Sequence, residues 1–175
     1  MCPPAPFKLI TASTPADYEN FKTLLQIYYA ETDPDTQNVT SILKVSADLP
    51  GRYAPPTGGI VLAYQGTALA GCGTLSATAH SGLAEIKRVY VLNTFRSQGL
   101  ARQLTLACME LARHACYRAV GAGALPHNTP AIALYQQLGF EPVSNFREAS
   151  AAHLIFLGVD LQVSESPPIA ELDFP

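Results

Sequence analysis

The chain has 175 residues, 48% of them hydrophobic and only 14% charged, so it can bury a core and is unlike a disordered chain. Its formal net charge of −3 argues against a nucleic-acid binder, which needs a basic surface. No apolar run approaches the roughly 18 residues of a membrane span. We therefore expect neither nucleic acid nor a membrane as a partner.

The cysteines, the histidines and the chain ends favour a cytoplasmic protein without a metal. Four cysteines and four histidines are dispersed, with no pair at zinc-site spacing. The first residues, MCPPAPFKLI, lack the basic start and the apolar stretch of a signal peptide. Both ends are Pro-rich, which favours frayed or loosely docked termini.

Helices are predicted first along the chain. One begins at Thr14-Pro15, because threonine can cap a helix and proline suits its first position. Its large side chains recur at helical spacing at Tyr18, Phe21, Leu25 and Tyr28. A weaker helix is predicted from Thr40 to about Asp48, closed by Leu49-Pro50-Gly51.

Strands follow. Ile60–Tyr64 and Ala68–Leu75 are predicted to form a hairpin around Gln65-Gly66-Thr67, and Ala84–Leu92 is a third strand candidate.

The second half alternates helices and strands. A helix is predicted over Gly99–His114, a strand over Tyr117–Ala124, a helix over Pro130–Leu138 and a last strand over His153–Asp160. This order predicts an α/β (α+β) fold in which helices flank a mixed central sheet, without a regular βαβ repeat.

The segment Arg96-Ser97-Gln98-Gly99-Leu100-Ala101 joins a predicted strand to a predicted helix. A helix start offers unpaired N–H groups and the positive end of the helix dipole. Gly99 would let an anion approach the backbone, and Arg96 and Arg102 add positive charge. The segment is therefore a candidate cradle for a pyrophosphate. In the alternative interpretation, Gly99 only permits a tight turn and both arginines are solvated.

The same segment resembles motif A of the GNAT superfamily of acetyl-CoA-dependent N-acetyltransferases, Arg/Gln-x-x-Gly-x-Gly/Ala. Residues 128–140, NTPAIALYQQLGF, are similar to motif B, Asn-x-x-Ala-x-x-x-Tyr-x-x-x-Gly-Phe. Residues 49–58, LPGRYAPPTG, resemble a segment of small bacterial GNAT proteins. The resemblance covers about Ile60 to Phe140 well. It departs from the family at Ala101, where many members have glycine, and at Gly121-Ala122-Gly123, which precedes motif B.

The resemblance implies a GNAT fold over residues 1–162, with a Pro-rich tail at 163–175. It also implies strands that splay at a cleft for acetyl-CoA, the coenzyme A thioester that serves as co-substrate. The implied cofactor-binding residues are Val89, Tyr90, Val91, Arg96, Ser97, Gln98, Gly99, Leu100, Ala101, Arg102, Asn128, Ala131 and Tyr135. Among these, the N–H of Val89 is implied as the donor to the thioester carbonyl, and the turn is implied to hold the pyrophosphate mainly through backbone amides.

Two side chains are catalytic candidates. The resemblance implies that Tyr135 protonates the departing thiolate, although a tyrosine at this helical position could be a core aromatic. An ammonium acceptor must lose a proton before it attacks, and Glu85 could take that proton through a water. Glu85 could instead pair with a nearby Lys or Arg, which would leave ordered water as the base.

The acceptor is expected beside the first helices. The candidate residues are Tyr28, Tyr29, Glu31, Arg52 and Tyr53, together with Asp33 and Asp35. This cluster could attract a cationic amine, or it could be an ordinary solvated loop.

The expected activity is transfer of an acetyl group from acetyl-CoA to a primary amine of a small molecule, by direct attack in a ternary complex. The alternatives are a non-catalytic acyl-CoA-binding sensor and a protein or peptide N-acetyltransferase. A homodimer through an exposed sheet edge stays open.

Overall fold

A computed structural model of the protein describes residues 5–32, 45–147 and 153–161. Within these ranges, seven strands form one sheet in the order β1-β2-β3-β4-β5-β7-β6. The strands are β1 (Phe7–Thr11), β2 (Gly59–Gln65), β3 (Ala68–Ala77), β4 (Leu83–Val91), β5 (Ala119–Ala124), β6 (Glu141–Pro142) and β7 (Ile155–Asp160). The helices are α1 (Pro15–Thr32), α2 (Leu100–His114) and α3 (Thr129–Gln137), and short 3₁₀ turns occupy Gly51–Tyr53 and Asn93–Phe95.

Helix α1 begins where the sequence predicts it, at a reciprocal cap. Thr14 Oγ1 accepts a hydrogen bond from the Asp17 N–H at 3.2 Å. Asp17 Oδ2 accepts from the N–H groups of Ser13 and Thr14 at 3.0 and 2.9 Å. These bonds, chiefly the one from Ser13, lower the pKa of Asp17. They satisfy N–H groups that a helix start leaves unpaired.

The sheet has mixed pairing and opens at its centre. Strands β1 to β4 pair antiparallel, β4 and β5 pair parallel, and β7 pairs antiparallel with both β5 and β6. The parallel pairing runs only from Leu83↔Ala119 to Ile86↔Ala122, although β4 continues to Val91. The predicted mixed sheet and the predicted splay are thereby confirmed.

A β-bulge interrupts β4 directly after its last pair with β5. Cys72 lies opposite Tyr90 and Thr74 lies opposite Lys87, so a single β3 residue faces both Arg88 and Val89. Arg88 has a positive φ of 52°. Because strand side chains alternate between faces, the extra residue changes the face on which Arg88 lies.

Hydrophobic clusters cover both faces of the sheet. One cluster joins the buried residues of α2 to Val61, Ala63 and Ile86 on the strands. The other joins Phe21, Leu24 and Leu25 of α1 to neighbouring strand residues such as Ile60 and Leu62. The alternation along β2 shows that these are opposite faces. Val89 packs with the α2 cluster and Tyr90 with the α1 cluster.

The predictions of α1, α2, α3 and the internal strands are confirmed within a few residues, and two strands were missed. β1 is an edge strand of five residues that follows prolines, and β6 has only two residues, so neither gives a strong periodic signal. Of the weaker predicted helix, residues 45–47 are helical and residues 40–44 lie outside the described part. The tail at 163–175 lies outside it as well.

None of the helices in the described ranges is long and apolar enough to cross a membrane. The same ranges hold no group of three or more His, Cys, Asp or Glu side chains arranged to bind a metal ion.

Candidate active site

A cavity of about 330 Å³ lies between the turn that precedes α2 and one side of α3. Of the residues predicted to bind the cofactor, Val91, Arg96, Ser97 and Gly99–Arg102 line it. Phe95, Pro130, Leu134 and Gln137 complete the wall. The structure therefore brings most of motif A to one cavity.

The turn before α2 is shaped to receive an anion. Ser97 and Gly99 both have left-handed backbone conformations, with φ of 61° and 76°. Gly99 is the N-cap of α2 and supplies no side-chain cap, and the first turn of α2 has no acidic residue. A Cβ at Gly99 would meet no atom within 4 Å. The first N–H groups of α2 thus lie at the positive end of the helix dipole with open space in front of Gly99.

The two arginines of the turn have different surroundings. Arg96 Nε donates to the Val91 carbonyl at 2.9 Å, and Nη2 pairs with Glu31 at 2.7 Å. Its guanidinium also lies 5.7 Å from the centre of the Tyr90 ring. Arg96 therefore ties the turn to β4 and α1, whereas Arg102 is exposed and has no ion pair with any residue of the described ranges.

Beyond Ile86, the backbone of β4 has no β5 partner within the described ranges. The Leu92 N–H donates to Ala70 O at 2.9 Å, towards β3. Because successive residues of a strand point their N–H groups to opposite sides, the Val91 N–H points away from β3. That side is the region where β4 and β5 have separated. Val89, the predicted carbonyl donor, lies at the bulge in the same segment.

Glu85 is buried, with 3% of its surface exposed, and is paired on both oxygens. Oε1 accepts from Arg147 Nε at 2.8 Å and also contacts Nη2, while Lys87 Nζ lies 2.7 Å from Oε2. Burial lowers the pKa of Lys87, against the opposing effect of the Glu85 carboxylate. The structure thus shows the ion pairing that the sequence left open for Glu85. To act as a base, Glu85 would have to give up part of this pairing.

Tyr135 lies on α3 with 7% of its surface exposed. Its ring packs against Phe140, with 5.1 Å between the ring centres. Burial is the main cause that raises the pKa of this phenol, so the phenol stays protonated at neutral pH. Tyr135 is therefore a core aromatic that retains its hydroxyl proton.

The start of α3 does not match the predicted contacts in detail. Asn128 Oδ1 accepts from the Ala131 N–H at 3.3 Å and caps the helix. Neither residue is among those that line the cavity, which takes Pro130, Leu134 and Gln137 from this helix instead. Spacings of four and three residues place these three on one face, so helical periodicity could have identified them.

A second cavity, of about 320 Å³, contains part of the predicted acceptor site. Arg52 and Tyr53 line it together with Arg88, Asp48 and the apolar residues Val45, Leu49 and Pro50. Burial raises the pKa of Tyr53. Arg88 was not predicted, because its position depends on the bulge.

The other predicted acceptor residues lie nearby or have another partner. Tyr28 packs against Tyr29 and Tyr90 with 5.1 and 5.5 Å between ring centres, and the Tyr29 hydroxyl accepts from Arg88 at 3.2 Å. Glu31 instead pairs with Arg96. Asp33 and Asp35 lie outside the described residues.

Comparisons with known proteins agree with this geometry. The family model described as Acetyltransferase (GNAT) family matches residues 19–140. An uncharacterized N-acetyltransferase of Schizosaccharomyces pombe is 27% identical over 165 residues, which cover 92% of this chain and 99% of that protein. An acetyltransferase of the GNAT family from Staphylococcus aureus has a TM-score of 0.74 at 12% identity, over 90% of this chain and 100% of that one. A protein from Salmonella typhimurium, solved with its cofactor acetyl-CoA, has a TM-score of 0.68 at 18% identity, over 94% of this chain and 99% of that one.

Proposed function

The chain belongs to the GNAT acetyltransferase family, and we propose that it transfers an acetyl group from acetyl-CoA to the primary amine of a small molecule. The single observation that carries the proposal is the open helix start at Gly99, which lies in one cavity with Val91 at the edge of the splayed strands. Such a cavity can hold a pyrophosphate at one end and an extended arm along unpaired backbone at the other.

The turn supports binding of the diphosphate part of acetyl-CoA. Backbone N–H groups at the start of α2 would donate to the phosphate oxygens, and Arg102 would add a positive charge. Arg96 would act through its pairing with Glu31 and Val91, which fixes the shape of the turn. The pantetheine arm would then follow Val91, Tyr90 and Val89 into the gap between β4 and β5.

The proposed reaction is direct attack. The amine nitrogen of the acceptor forms a bond to the thioester carbonyl carbon, and the Val89 N–H stabilises the oxyanion. The C–S bond then breaks, and the Tyr135 phenol gives its proton to the thiolate. Before the attack, ordered water, or Glu85 after release from one of its cations, takes one proton from the acceptor ammonium. After the C–S bond breaks, the nitrogen gives its second proton to the Tyr135 phenolate, which leaves a neutral amide and restores the phenol.

A covalent acetyl-enzyme is not part of this proposal. Cys72 and Cys108 are buried, and burial raises the pKa of both thiols, that of Cys72 to about 12. A thiol that stays protonated is a poor nucleophile. Transfer in a ternary complex requires no such group.

The rival function is a non-catalytic acyl-CoA-binding sensor. The pairing of Glu85 with Arg147 and Lys87 favours it, because a carboxylate held by two cations is a weaker base. The Tyr135→Phe variant separates the two. An enzyme should lose about a hundredfold or more in kcat and keep its Kd for acetyl-CoA, because only proton transfer is removed. Mass spectrometry of acetylated products from a panel of amines gives the rate, and calorimetric titration gives the affinity.

Tyr117→Phe is the matched control for that experiment. Its hydroxyl donates to the Thr57 carbonyl at 2.8 Å, beyond the end of α2, so its loss should leave kcat unchanged. Acetyl-CoA binding without any acetylated product would support the sensor. Acetylated lysines or N-termini on co-incubated proteins, with no small-molecule product, would support a protein acetyltransferase.

A further inference from the structure

Arg88 is a largely buried cation of the described structure that keeps unused hydrogen-bond donors. Nη1 donates to the Tyr53 hydroxyl and Nη2 to the Tyr29 hydroxyl, the latter at 3.2 Å. Its Nε is buried and has no hydrogen-bond partner among the residues that the structure describes. A guanidinium has five N–H donors, so this group keeps capacity for a further acceptor.

Arg88 also has no carboxylate partner within the described ranges, unlike three other arginines of the chain. Arg96, Arg113 and Arg147 pair with Glu31, Glu110 and Glu85. A largely buried cation without an opposite charge is costly, and an anion with two oxygens suits the planar face of a guanidinium. The cavity that Arg88 lines can receive such an anion.

The bulge gives Arg88 this position at a cost in backbone strain. A φ of 52° is unfavourable for a residue with a side chain. As a result, the Arg88 side chain lies on the same face of the sheet as Tyr53 and Tyr29. The next residue, Val89, packs its side chain on the opposite face. Strand β4 therefore places the Arg88 guanidinium on the sheet face that carries the predicted acceptor residues. It lies next to the segment proposed to hold the thioester.

The charges at the rest of the cavity complement an acceptor with both an amine and an anion. Arg52, an exposed side chain at the wall, adds a second positive charge, and Asp48 supplies a negative one. Tyr53 and the apolar residues form the remaining wall. This pattern is complementary to a small zwitterion.

We propose that the acceptor is a small amine that carries a carboxylate, as an amino acid does, and that Arg88 is the residue that selects it. This inference rests on the proposed acetyltransferase function. In this proposal the carboxylate of the acceptor accepts two N–H···O bonds from the Arg88 guanidinium, and the acceptor amine points towards Val89.

The test compares each amino acid with its amide, which lacks the carboxylate charge, and with simple alkylamines. The protein is incubated with acetyl-CoA and an equimolar mixture of the common amino acids, their amides and simple alkylamines, and acetylated products are quantified by mass spectrometry. An amino acid amide has a less basic amine than its parent acid, so intrinsic reactivity favours the amide. A preference for the acid therefore reports recognition. We expect kcat/KM for the best acid to exceed that for its amide by about tenfold to a hundredfold.

Arg88→Gln should remove this preference, with kcat/KM falling by about tenfold to a hundredfold for the acid and little for the amide. The Kd for acetyl-CoA should not change. Arg88→Lys, which keeps the charge, should retain part of the preference and serves if the glutamine variant does not fold. Arg113→Gln, which removes an exposed ion pair on α2, is the matched control and should change neither value.

Each outcome decides a different claim. Equal acetylation of acids and amides, or an equal loss for both in Arg88→Gln, would overturn the carboxylate proposal and leave the acetyltransferase function standing. Acetyl-CoA binding without a product from any amine would overturn the proposed function, and the assignment of Arg88 with it.

Discussion

Replacing Gly99 with alanine tests whether the turn before α2 binds acetyl-CoA. Gly99 has a φ of 76°, and a Cβ there would contact no atom within 4 Å. The variant should therefore fold without a clash and lose only the left-handed backbone preference, which is about 1–2 kcal/mol in the free energy of unfolding. In a chain of this length that corresponds to a fall in Tm of about 2–8 °C.

Gly99→Ala should also weaken the binding of acetyl-CoA, by a mechanism separate from the loss of stability. The methyl group would occupy the open space through which a phosphate oxygen approaches the helix N–H groups. Loss of one charge-assisted hydrogen bond, about 1.5–3 kcal/mol, weakens binding of acetyl-CoA by about tenfold to a hundredfold. Calorimetric titration measures this Kd directly, and free thiols do not disturb it.

Gly66→Ala is the matched control for this measurement. Gly66 lies in the β2–β3 turn and has a φ of 61°, and a Cβ there would likewise meet no atom within 4 Å. It should lose similar stability and keep the Kd for acetyl-CoA, because the turn lies outside the residues that line either cavity. Equal Kd values for the two variants would refute the assignment of the pyrophosphate to the Gly99 turn.

Two further predictions concern stability and can be followed by urea denaturation. Gly121→Ala should lower the free energy of unfolding by about 1–3 kcal/mol, because its Cβ would lie 2.5 Å from the Phe146 ring. An unchanged free energy of unfolding would contradict this. Asp17→Ala should cost about 0.3–1 kcal/mol, because it removes the acceptor of the Ser13 and Thr14 N–H groups and a negative charge at the start of α1. Because the Ser13 N–H holds the pKa of Asp17 below its ordinary value, this stability is present at neutral pH and is lost as the pH falls through the lowered pKa. A difference from the unmodified protein that persists well below that pKa would contradict the assignment.

The local features of the fold could be predicted because short sequence signals determine them. Thr14 and Pro15 mark the start of α1, Gly66 marks a hairpin turn, and Gly99 marks the start of α2. The missed strand β1 lacks such signals: it is short, follows prolines and pairs with one neighbour only. Its place depends on β2, which lies some fifty residues further along the chain.

The side-chain partners of the candidate site depend on contacts between distant residues and could not be predicted. Arg96 and Glu31 are separated by 65 residues, and Arg147 and Glu85 by 62. Motif A and motif B predict which backbone positions would bind a cofactor, but they carry no information on which carboxylate will neutralise which cation. For the same reason, sequence alone left two roles open for Glu85.

The bulge in β4 links the two halves of the proposed site. Only Lys87 separates the bulge from Ile86, which is the last β4 residue paired with β5. A bulge strengthens the twist of a strand and ends regular pairing, so the same irregularity favours separation of β4 from β5 and turns Arg88 towards the acceptor cavity. Deleting Arg88 would remove the extra residue and restore regular pairing with β3, with Ile86 and Val89 still on the α2 face. The strand would then lose the irregularity that favours its separation from β5 together with the cation proposed to select the acceptor, which is why we assign both to one local feature of the backbone.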